Sequence, residues 1–425
     1  TALQVRDEAL YAATVIKGST YMQDVVWTKD DSPYLITGDV TISSGRSLTI
    51  KEGVKVIFLA NSDDTVGGDE KYDSELLVEG SISVLGTEAE PVVFTSSETA
   101  PSKGDWGGIR HKQVGVFEYA ILDYSGYGIY AYLAGYSGGS IDVRNSKIRY
   151  SGGYGLEVYA EQQTTGHVII EDTEFVGIEG NNMGKANGNS YDYRTAILMH
   201  SNSYDGLDMT FRRCKIINGN NAGLFFRHRG GIIEDNEFSN NNSVYIKFDY
   251  LKGRDIVFKN NKLINNKHGR VQVYHTYSEN SFLAEGNVIK QSDNGEMNGF
   301  LVSNVRHNMS EFSFLNNTIE TYNTGIQLES SYNNTPKIIG NTITGTGSSN
   351  GIHTSGKIVP VIENNTIEKK ENAIYLYYDD ANGDGRVVVK GNVIKGNSGY
   401  GIRAEGHAKP VISLNDIEGN SGYAV

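Results

Sequence analysis

Five ionisable side chains recur at alternate positions of short apolar stretches in the middle of the chain: Glu157, His200, Arg227, Lys247 and Tyr274. Cations that neutralise a carboxylate, together with a base and an acid, are the groups that β-elimination of a uronate requires. In this hypothesis Arg227 holds the carboxylate and Lys247 or His200 removes the C5 proton. Tyr274 protonates the leaving oxygen. Glu157 could instead act with a second carboxylate in hydrolysis, although the sequence names no partner for it.

Tyrosine is unusually frequent, with 27 residues in the chain. Exposed aromatic rings can stack on pyranose rings, so the tyrosines at outward positions are predicted to bind substrate. They are Tyr130, Tyr132, Tyr159, Tyr245, Tyr375 and Tyr377. The same residues would equally suit a sugar-binding face without catalysis. A third interpretation is an ordinary solvated surface, since charged and tyrosine side chains also keep exposed strands from associating.

One segment has the spacing of a calcium loop. "DDANGDGR" at 379–386 places Asp380, Asn382 and Asp384 at alternate positions before Gly385. Oxygen ligands at positions one, three and five can surround a hard cation, and glycine permits the turn. Position twelve is Gly391, so the usual bidentate glutamate is missing. The pattern predicts a structural calcium ion, with a polar turn as the alternative.

Other metal and nucleotide sites have weaker support. An acidic loop at 61–75 could bind calcium through Asp63, Asp64 and Asp69. His111 and the segments "RHRG" and "YHTY" at 227–230 and 274–277 contain imidazoles, but not at the spacing of a zinc site. No glycine-rich phosphate loop follows a strand. Zinc and nucleotide cofactors are therefore not expected.

The elements that position these side chains follow from an internal repeat. Units such as "EGNVI", "LNNTI", "IGNTI" and "KGNVI" recur, each followed by an alternating apolar stretch. The central residues lie 22 to 30 residues apart, with one gap of 41. They form the column Tyr119, Ser146, Thr173, Cys214, Asn236, Asn261, Asn287, Asn317, Asn341, Asn365, Asn392 and Asn415. This period, with β-branched runs and Gly/Asn turns, predicts a parallel β-helix.

A β-helix would stack successive coils about 4.8 Å apart, so equivalent side chains line up. The asparagines can then hydrogen-bond to one another, while the strand after each presents alternate residues outward. This arrangement places the five ionisable residues on one face, with Tyr245 and Lys247 of one coil beside Gln272 and Tyr274 of the next. The gap of 41 residues contains an insertion at 179–195, and long insertions often serve function.

The pattern predicts about 14 coils in an all-β chain. Residues 1–105 are predicted to form an N-terminal cap and opening coils, with a short helix at 7–18, and residues 106–425 one continuous domain of regular coils. The last coil stops at "GYAV" within a strand pattern. Since solenoids need polar caps, further domains of a parent chain are expected.

Composition excludes several classes of protein. The net charge is −13 without a basic run, which argues against a nucleic-acid partner. No apolar run approaches the roughly 18 residues of a membrane-spanning helix, so no membrane insertion is expected. The single Cys214 cannot form an internal disulfide and is interpreted as a small buried residue of the column.

The N-x-I column followed by G-I-x strands resembles the right-handed parallel β-helix proteins of the pectate-lyase-like superfamily. The opening, with "ITGDVTISSGRSLTIKEGVKV" and "GDWGGI", is similar to that of bacterial cell-surface β-helix proteins. The resemblance implies an extracellular or cell-surface protein directed at polysaccharide. With the ionisable face, it favours lyase-type cleavage of an acidic polysaccharide. A non-catalytic binding or adhesion domain is the alternative, and a phage tailspike is the third.

Overall fold

The computed structural model describes residues 12–68, 72–133, 138–161, 166–180, 195–200, 207–276, 280–345, 347 and 349–425. Over these residues the chain is almost entirely β-strand, with one 3-10 turn at Lys29–Asp31. Within each of the two units described below, strands pair in parallel with the equivalent strands of the next turn. Each complete turn contributes three strands in chain order. We call them the ladder strand, which follows the asparagine column, the site strand, which carries the predicted site residues, and the back strand, which closes the turn. The fold is a parallel β-helix.

The chain is divided into two compact units. The first unit is Thr1–Leu224. Its ladder strands are Thr14–Ile16, Tyr34–Ile36, Lys55–Phe58, Val92–Ser96, Ala120–Asp123, Lys147–Arg149, Glu174–Val176 and Lys215–Ile217. Its site strands are Ser19–Tyr21, Val40–Ile42, Glu75–Val78, Gly108–His111, Ile129–Leu133, Leu156–Ala160 and Ile197–His200. Its back strands are Val25–Trp27, Ser47–Lys51, Ser81–Leu85, Val114–Glu118, Ser140–Arg144, Val168–Glu171 and Met209–Arg212.

The second unit is Phe225–Val425. Two long strands, Lys262–Thr276 and Val288–Val305, combine a ladder and a site strand. The other ladder strands are Glu237–Ser239, Thr318–Glu320, Thr342–Thr344, Thr366–Glu368, Val393–Lys395 and Asp416–Glu418. The other site strands are Leu224–Arg227, whose first residue is the last of the first unit, Ser243–Leu251, Ile326–Asn334, Ile352–Ile358, Ile374–Tyr378 and Ile402–Gly406. The back strands are Gly231–Glu234, Ile256–Lys259, Ser281–Glu285, Glu311–Leu315, Lys337–Ile339, Val361–Glu363, Val388–Lys390 and Val411–Ser413.

The predicted fold class and the number of about 14 turns are confirmed. The helix predicted at 7–18 is wrong where the structure describes it, because Thr14–Ile16 is a strand that pairs with Tyr34–Ile36. Residues 7–11 of that prediction lie outside the described residues. The N-terminal cap is therefore not confirmed, and the boundary predicted between residues 105 and 106 stays a prediction.

Alternation along the site strands produces the core and the outward face from one sequence pattern. In Leu156–Ala160 the leucine, valine and alanine are buried, whereas Glu157 and Tyr159 point outward. The equivalent inward residues of successive turns lie in columns, as shown by Phe226 and Phe248, whose stacked rings are 5.1 Å apart. The outward direction predicted for the site residues follows from this alternation.

The asparagine column forms the predicted ladder in the second unit. Asn236 Nδ2 donates to Asn261 Oδ1 at 2.9 Å, and the same bond recurs at each step to Asn415 at 2.8 to 3.1 Å. Each shared oxygen also accepts from the backbone N–H of the preceding ladder residue, as Asn341 Oδ1 does from Asn317. The ladder therefore satisfies amide groups that burial would otherwise leave without partners.

The first unit continues the column with other small residues. Ser146 Oγ accepts from the N–H of Ala120 at 3.0 Å, so Ala120, rather than the predicted Tyr119, occupies the column position. Tyr119 is instead the preceding corner residue, with a φ of 47°. Cys214 is buried, and burial raises the pKa of its thiol to about 12. These properties fit the structural interpretation of Cys214.

A buried imidazole lies inside the first unit. His111 is 1% exposed, and within the described residues neither ring nitrogen has a hydrogen-bond partner. The ring packs near Phe117 and occupies space that Gly115 leaves, since a Cβ at Gly115 would be 2.5 Å from Nε2. Burial lowers the pKa of His111 to about 3 because the charged form would lose its hydration. His111 is therefore neutral at physiological pH.

This burial makes a prediction about stability. An unfolded histidine takes up a proton near pH 6.5, whereas folded His111 does so only near pH 3, so its contribution to stability is lost as the pH falls through that window. We expect His111→Leu to reduce the slope of the unfolding free energy by about 1.4 kcal/mol per pH unit between these values. Denaturant unfolding at several pH values measures this slope. His167→Leu, which replaces an exposed histidine, is the control. An unchanged slope in His111→Leu would contradict the assignment.

Candidate functional site

The predicted catalytic residues fall into two groups. Glu157 and His200 lie on site strands of the first unit, and Arg227, Lys247 and Tyr274 lie on site strands of the second. Each group has its own surroundings in the structure. The insertion at 179–195 lies outside the described residues, except for 179, 180 and 195.

The register between strands Ser243–Leu251 and Lys262–Thr276 differs from the predicted alignment by two residues. Lys247 is predicted beside Tyr274, but Lys247 pairs with Gln272 and Asp249 pairs with Tyr274. A shift of two preserves the outward direction of every side chain, because alternation has a period of two. The shift brings Asp249 into the site, a residue that the sequence analysis missed.

Asp249 is the centre of the group in the second unit. Its side chain is 4% exposed, and its Oδ2 atom is 3.1 Å from Lys247 Nζ. The other oxygen, Oδ1, is 3.3 Å from His275 Nδ1. A buried carboxylate is costly unless charged or hydrogen-bonding partners surround it, and these two contacts supply them. Asp249 thus fixes both the ammonium group and the orientation of the imidazole.

His275 is the second residue that the sequence analysis missed, although it lies in the segment "YHTY" at 274–277. It follows Tyr274 at a corner, with a φ of 52° in the left-handed region. This conformation turns its ring toward the ring of Tyr274, with centroids 3.7 Å apart. Burial, together with the nearby charges of Arg306 and Lys247, lowers the pKa of His275 despite the opposing effect of Asp249. The imidazole is consequently a neutral base at neutral pH.

Arg227 completes this group and is connected to it through the ring of Tyr250. The guanidinium carbon of Arg227 lies 5.4 Å from the ring centre of Tyr250, and the Tyr250 ring is 4.7 Å from that of His275. Lys247 Nζ is also 5.1 Å from the ring centre of Tyr274. We call Arg227, Lys247, Asp249, Tyr274 and His275 the Asp249 cluster. It combines two cations with a carboxylate–imidazole pair and a phenol, the groups needed for proton transfer next to a bound anion.

Glu157 and His200 form a separate pair in the first unit. His200 Nε2 is 2.9 Å from Glu157 Oε1, and both side chains are largely covered. The edge of the His200 ring meets Tyr159 at 5.0 Å, and Tyr159 stacks on Tyr132 at 5.2 Å. The Tyr132 hydroxyl hydrogen-bonds to Glu161, which raises the pKa of Tyr132 to about 12. A carboxylate that orients an imidazole is compatible with catalysis or with hydrogen bonding to a ligand.

Several predicted substrate-binding tyrosines contact neighbouring side chains through their ring faces. Tyr375 lies between His353, at 4.9 Å, and the guanidinium of Arg403, at 5.1 Å. Tyr245 has Arg270 over its ring at 5.6 Å. Tyr377 is 40% exposed and keeps more of its surface accessible. The predicted role of these tyrosines in sugar stacking stays a prediction, with Tyr377 the most accessible of the three.

The predicted calcium loop is occupied by protein contacts. Asp380 Oδ2 is 2.9 Å from Lys357 Nζ, and Asp380 Oδ1 accepts from the Asn382 N–H at 3.0 Å. These contacts lower the pKa of Asp380. Asp384 is largely exposed and borders a cavity of about 360 Å³ that Tyr378 and Arg386 also line. Across the described residues, no group of three or more His, Cys, Asp or Glu side chains has the geometry to hold a metal ion.

Calcium binding at this loop stays a prediction. A calcium ion would have to compete with the ammonium group of Lys357 for the Asp380 carboxylate. We expect millimolar calcium to raise the melting temperature relative to chelator, because an ion that binds the folded state alone stabilises it. The increase should be larger in Lys357→Ala and absent in Asp384→Ala. Thermal unfolding with calcium and with EGTA measures it. Equal melting temperatures under both conditions in all three proteins would rule out the site.

The second acidic loop is organised by hydrogen bonds. Asp63 accepts from the backbone N–H groups of Thr65 and Gly67, each at 2.9 Å. Asp64 accepts from the Gly18 N–H and from the Thr37 hydroxyl. Asp69 lies outside the described residues. Asp63 therefore stabilises its own loop, and Asp64 connects the loop to neighbouring turns of the first unit.

Comparison with known proteins agrees with this architecture. The family model described as "Right handed beta helix region" matches residues 127–308 and 298–425, more than half of the chain. The chain belongs to this family of right-handed parallel β-helix proteins. The model described as "Pectate-lyase like beta helix domain" matches residues 19–112.

Individual relatives are distant. Over 81 residues, or 19% of this chain, the sequence is 34% identical to Protein bark beetle of Drosophila melanogaster. The match spans 2% of that protein. The crystal structure of the periplasmic alginate epimerase AlgG aligns over 92% of this chain and 76% of that one, with a TM-score of 0.40 and 11% identity. Among the described residues, no helix has the length and apolar character needed to cross a bilayer.

Proposed function

We propose that the chain is an extracellular or cell-surface carbohydrate-active protein that cleaves an acidic polysaccharide by β-elimination at the Asp249 cluster. The observation that carries the proposal is the buried Asp249, which Lys247 and His275 share beside Tyr274. Family membership supplies only the scaffold, because this fold accommodates many functions.

The cluster suggests a role for each residue. Arg227 and Lys247 are two cations beside the one carboxylate of Asp249, so the cluster has a net positive charge. This charge would neutralise the uronate carboxylate and so favour ionisation of the neighbouring C5–H bond. Lys247 serves as this cation rather than as the base, because its ammonium group is paired with Asp249. His275 takes the place of the sequence-predicted base, since a neutral imidazole with an oriented Nδ1 can accept a proton through Nε2.

The reaction then balances as follows. The C5 proton passes to His275, its electron pair forms the C4–C5 double bond, and the C4–O bond breaks. The leaving oxygen takes the proton of the Tyr274 hydroxyl. The adjacent rings of His275 and Tyr274 would allow the imidazolium to return a proton to the phenolate. No further reactant is required.

The experiment follows absorbance near 232 nm while the purified protein acts on polygalacturonate, alginate or glycosaminoglycans. A lyase produces new absorbance from the unsaturated ends, and Lys247→Ala and Arg227→Ala should each abolish most of it. Lys259→Ala is the matched control, because Lys259 is an ion-paired lysine on a back strand, 2.9 Å from Glu285. No new absorbance on any acidic polymer would overturn the proposal.

A non-catalytic polysaccharide-binding domain is the second candidate. The observation that favours it is the series of outward tyrosines whose hydroxyl groups bind carboxylates, as Tyr375 does with Glu405 at 2.7 Å. Such hydroxyl–carboxylate pairs can bind sugars without cleaving them. Retention of the protein on a polymer, without new chain ends, would support this function instead.

A further inference from the structure

The first unit contains a groove whose wall residues are not part of the Asp249 cluster. It has a volume of about 460 Å³ and lies on the outward face of strands Glu75–Val78, Gly108–His111 and Ile129–Leu133. Its wall residues include Leu77, Glu79, Arg110, Lys112, Tyr130 and Tyr132. We infer that this groove binds an uncharged saccharide, independently of the Asp249 cluster.

The shape of the groove follows from side-chain length on neighbouring strands. Leu77 pairs with Arg110, and Arg110 pairs with Tyr130, so a short side chain lies beside two long ones in one outward column. Because the Leu77 side chain projects less far from the sheet than its longer neighbours, it leaves a depression. Its volume lies within the range of roughly 300 to 1,000 Å³ that small-molecule sites occupy.

The charges of the groove are balanced. Arg110 Nε is 2.8 Å from Glu75 Oε1, and the Glu75 side chain is fully buried. Lys112 Nζ is 2.6 Å from Glu79 Oε2. An anionic ligand would compete with these carboxylates for their cations, at a cost in electrostatic energy. An uncharged polyol can bind both members of the Lys112–Glu79 pair through its hydroxyl groups without breaking it.

The groove also has an apolar surface suited to a sugar ring. Leu77 and the Tyr130 ring supply carbon atoms, and the Arg110 guanidinium holds the Tyr130 ring at 5.4 Å. The Tyr132 hydroxyl is anchored by Glu161, which fixes the far wall. A pyranose has C–H faces and a rim of hydroxyl groups, and this combination of apolar surface with paired donors and acceptors matches it.

Titration calorimetry with cellohexaose, mannohexaose, xylohexaose and trigalacturonate tests the inference. We expect at least one uncharged oligosaccharide to bind, with affinity insensitive to ionic strength. Tyr130→Ala should weaken binding at least tenfold. The double variant Glu79→Ala/Lys112→Ala, which keeps the charge balanced, should do the same. Tyr322→Ala, an exposed tyrosine of the second unit, is the control and should change affinity less than twofold.

The experiment can distinguish saccharide binding in this groove from the proposed cleavage at the Asp249 cluster. Lys247→Ala should abolish cleavage while leaving uncharged-saccharide binding intact. The inference is overturned if no uncharged oligosaccharide binds at millimolar concentration, or if binding survives in both groove variants. It is also overturned if trigalacturonate alone binds and both groove variants weaken it. Circular dichroism and melting curves confirm that each variant is folded.

Discussion

Replacing His275 with alanine is expected to lower the rate of elimination by about 10² to 10⁴-fold with little change in KM, because a positioned base contributes to the transition state rather than to ground-state binding. The measurement is initial rate against substrate concentration on the acidic polymer that the wild-type protein cleaves. His307→Ala is the matched control. That imidazole stacks on Tyr332 at 5.5 Å and takes no part in the Asp249 cluster.

The pH profile provides an independent readout of the same group. The reaction needs neutral His275, and burial lowers the pKa of this imidazole below its usual value of 6.5. The acid limb of kcat/KM should therefore lie below pH 6.5, with activity retained from there to neutral pH. Asp249 opposes the lowering, so Asp249→Asn should move the limb further toward acid while reducing the rate. An acid limb above pH 7, or full activity in His275→Ala, would remove His275 from the mechanism.

Replacing Asn341 with leucine is expected to destabilise the second unit by about 4 kcal/mol, which corresponds to a decrease in melting temperature on the order of 10 °C. Asn341 is 1% exposed. Its Nδ2 donates to the Phe314 carbonyl and to Asn365 Oδ1, each at 2.9 Å. Its Oδ1 accepts from the backbone and side-chain amides of Asn317. Leucine would leave these buried groups without partners, and its added apolar surface cannot compensate.

Thermal and denaturant unfolding measure this prediction, with Thr342→Ala as the control. Thr342 is the adjacent residue but is exposed, so its replacement should change stability by less than about 0.5 kcal/mol. A melting temperature for Asn341→Leu within 2 °C of the control would show that the ladder contributes little. It would also leave the recurrence of asparagine at this position without a thermodynamic explanation.

Much of the fold is determined by the sequence alone, because the repeat fixes it locally. The spacing of the ladder asparagines predicted a parallel β-helix, and every predicted asparagine from Asn236 to Asn415 is bonded in the ladder. Alternation correctly predicted that Glu157 and Tyr159 point outward. Both the asparagine spacing and the alternation depend only on contacts within a turn or between neighbouring turns. The alignment failed by one residue at Tyr119, where no asparagine marks the column.

The composition of the candidate site was decided by tertiary structure. Two registers of strand Ser243–Leu251 against Lys262–Thr276, two residues apart, bury equally apolar faces, so alternation cannot distinguish them. Only the packed register places Asp249 opposite Tyr274. The orientation of His275 was also decided by tertiary structure. This residue lies at a corner in the left-handed region, which reverses the direction expected from strand alternation. The sequence therefore determined which residues face outward, whereas the tertiary structure decided which of them meet, because register and corner geometry depend on contacts between turns.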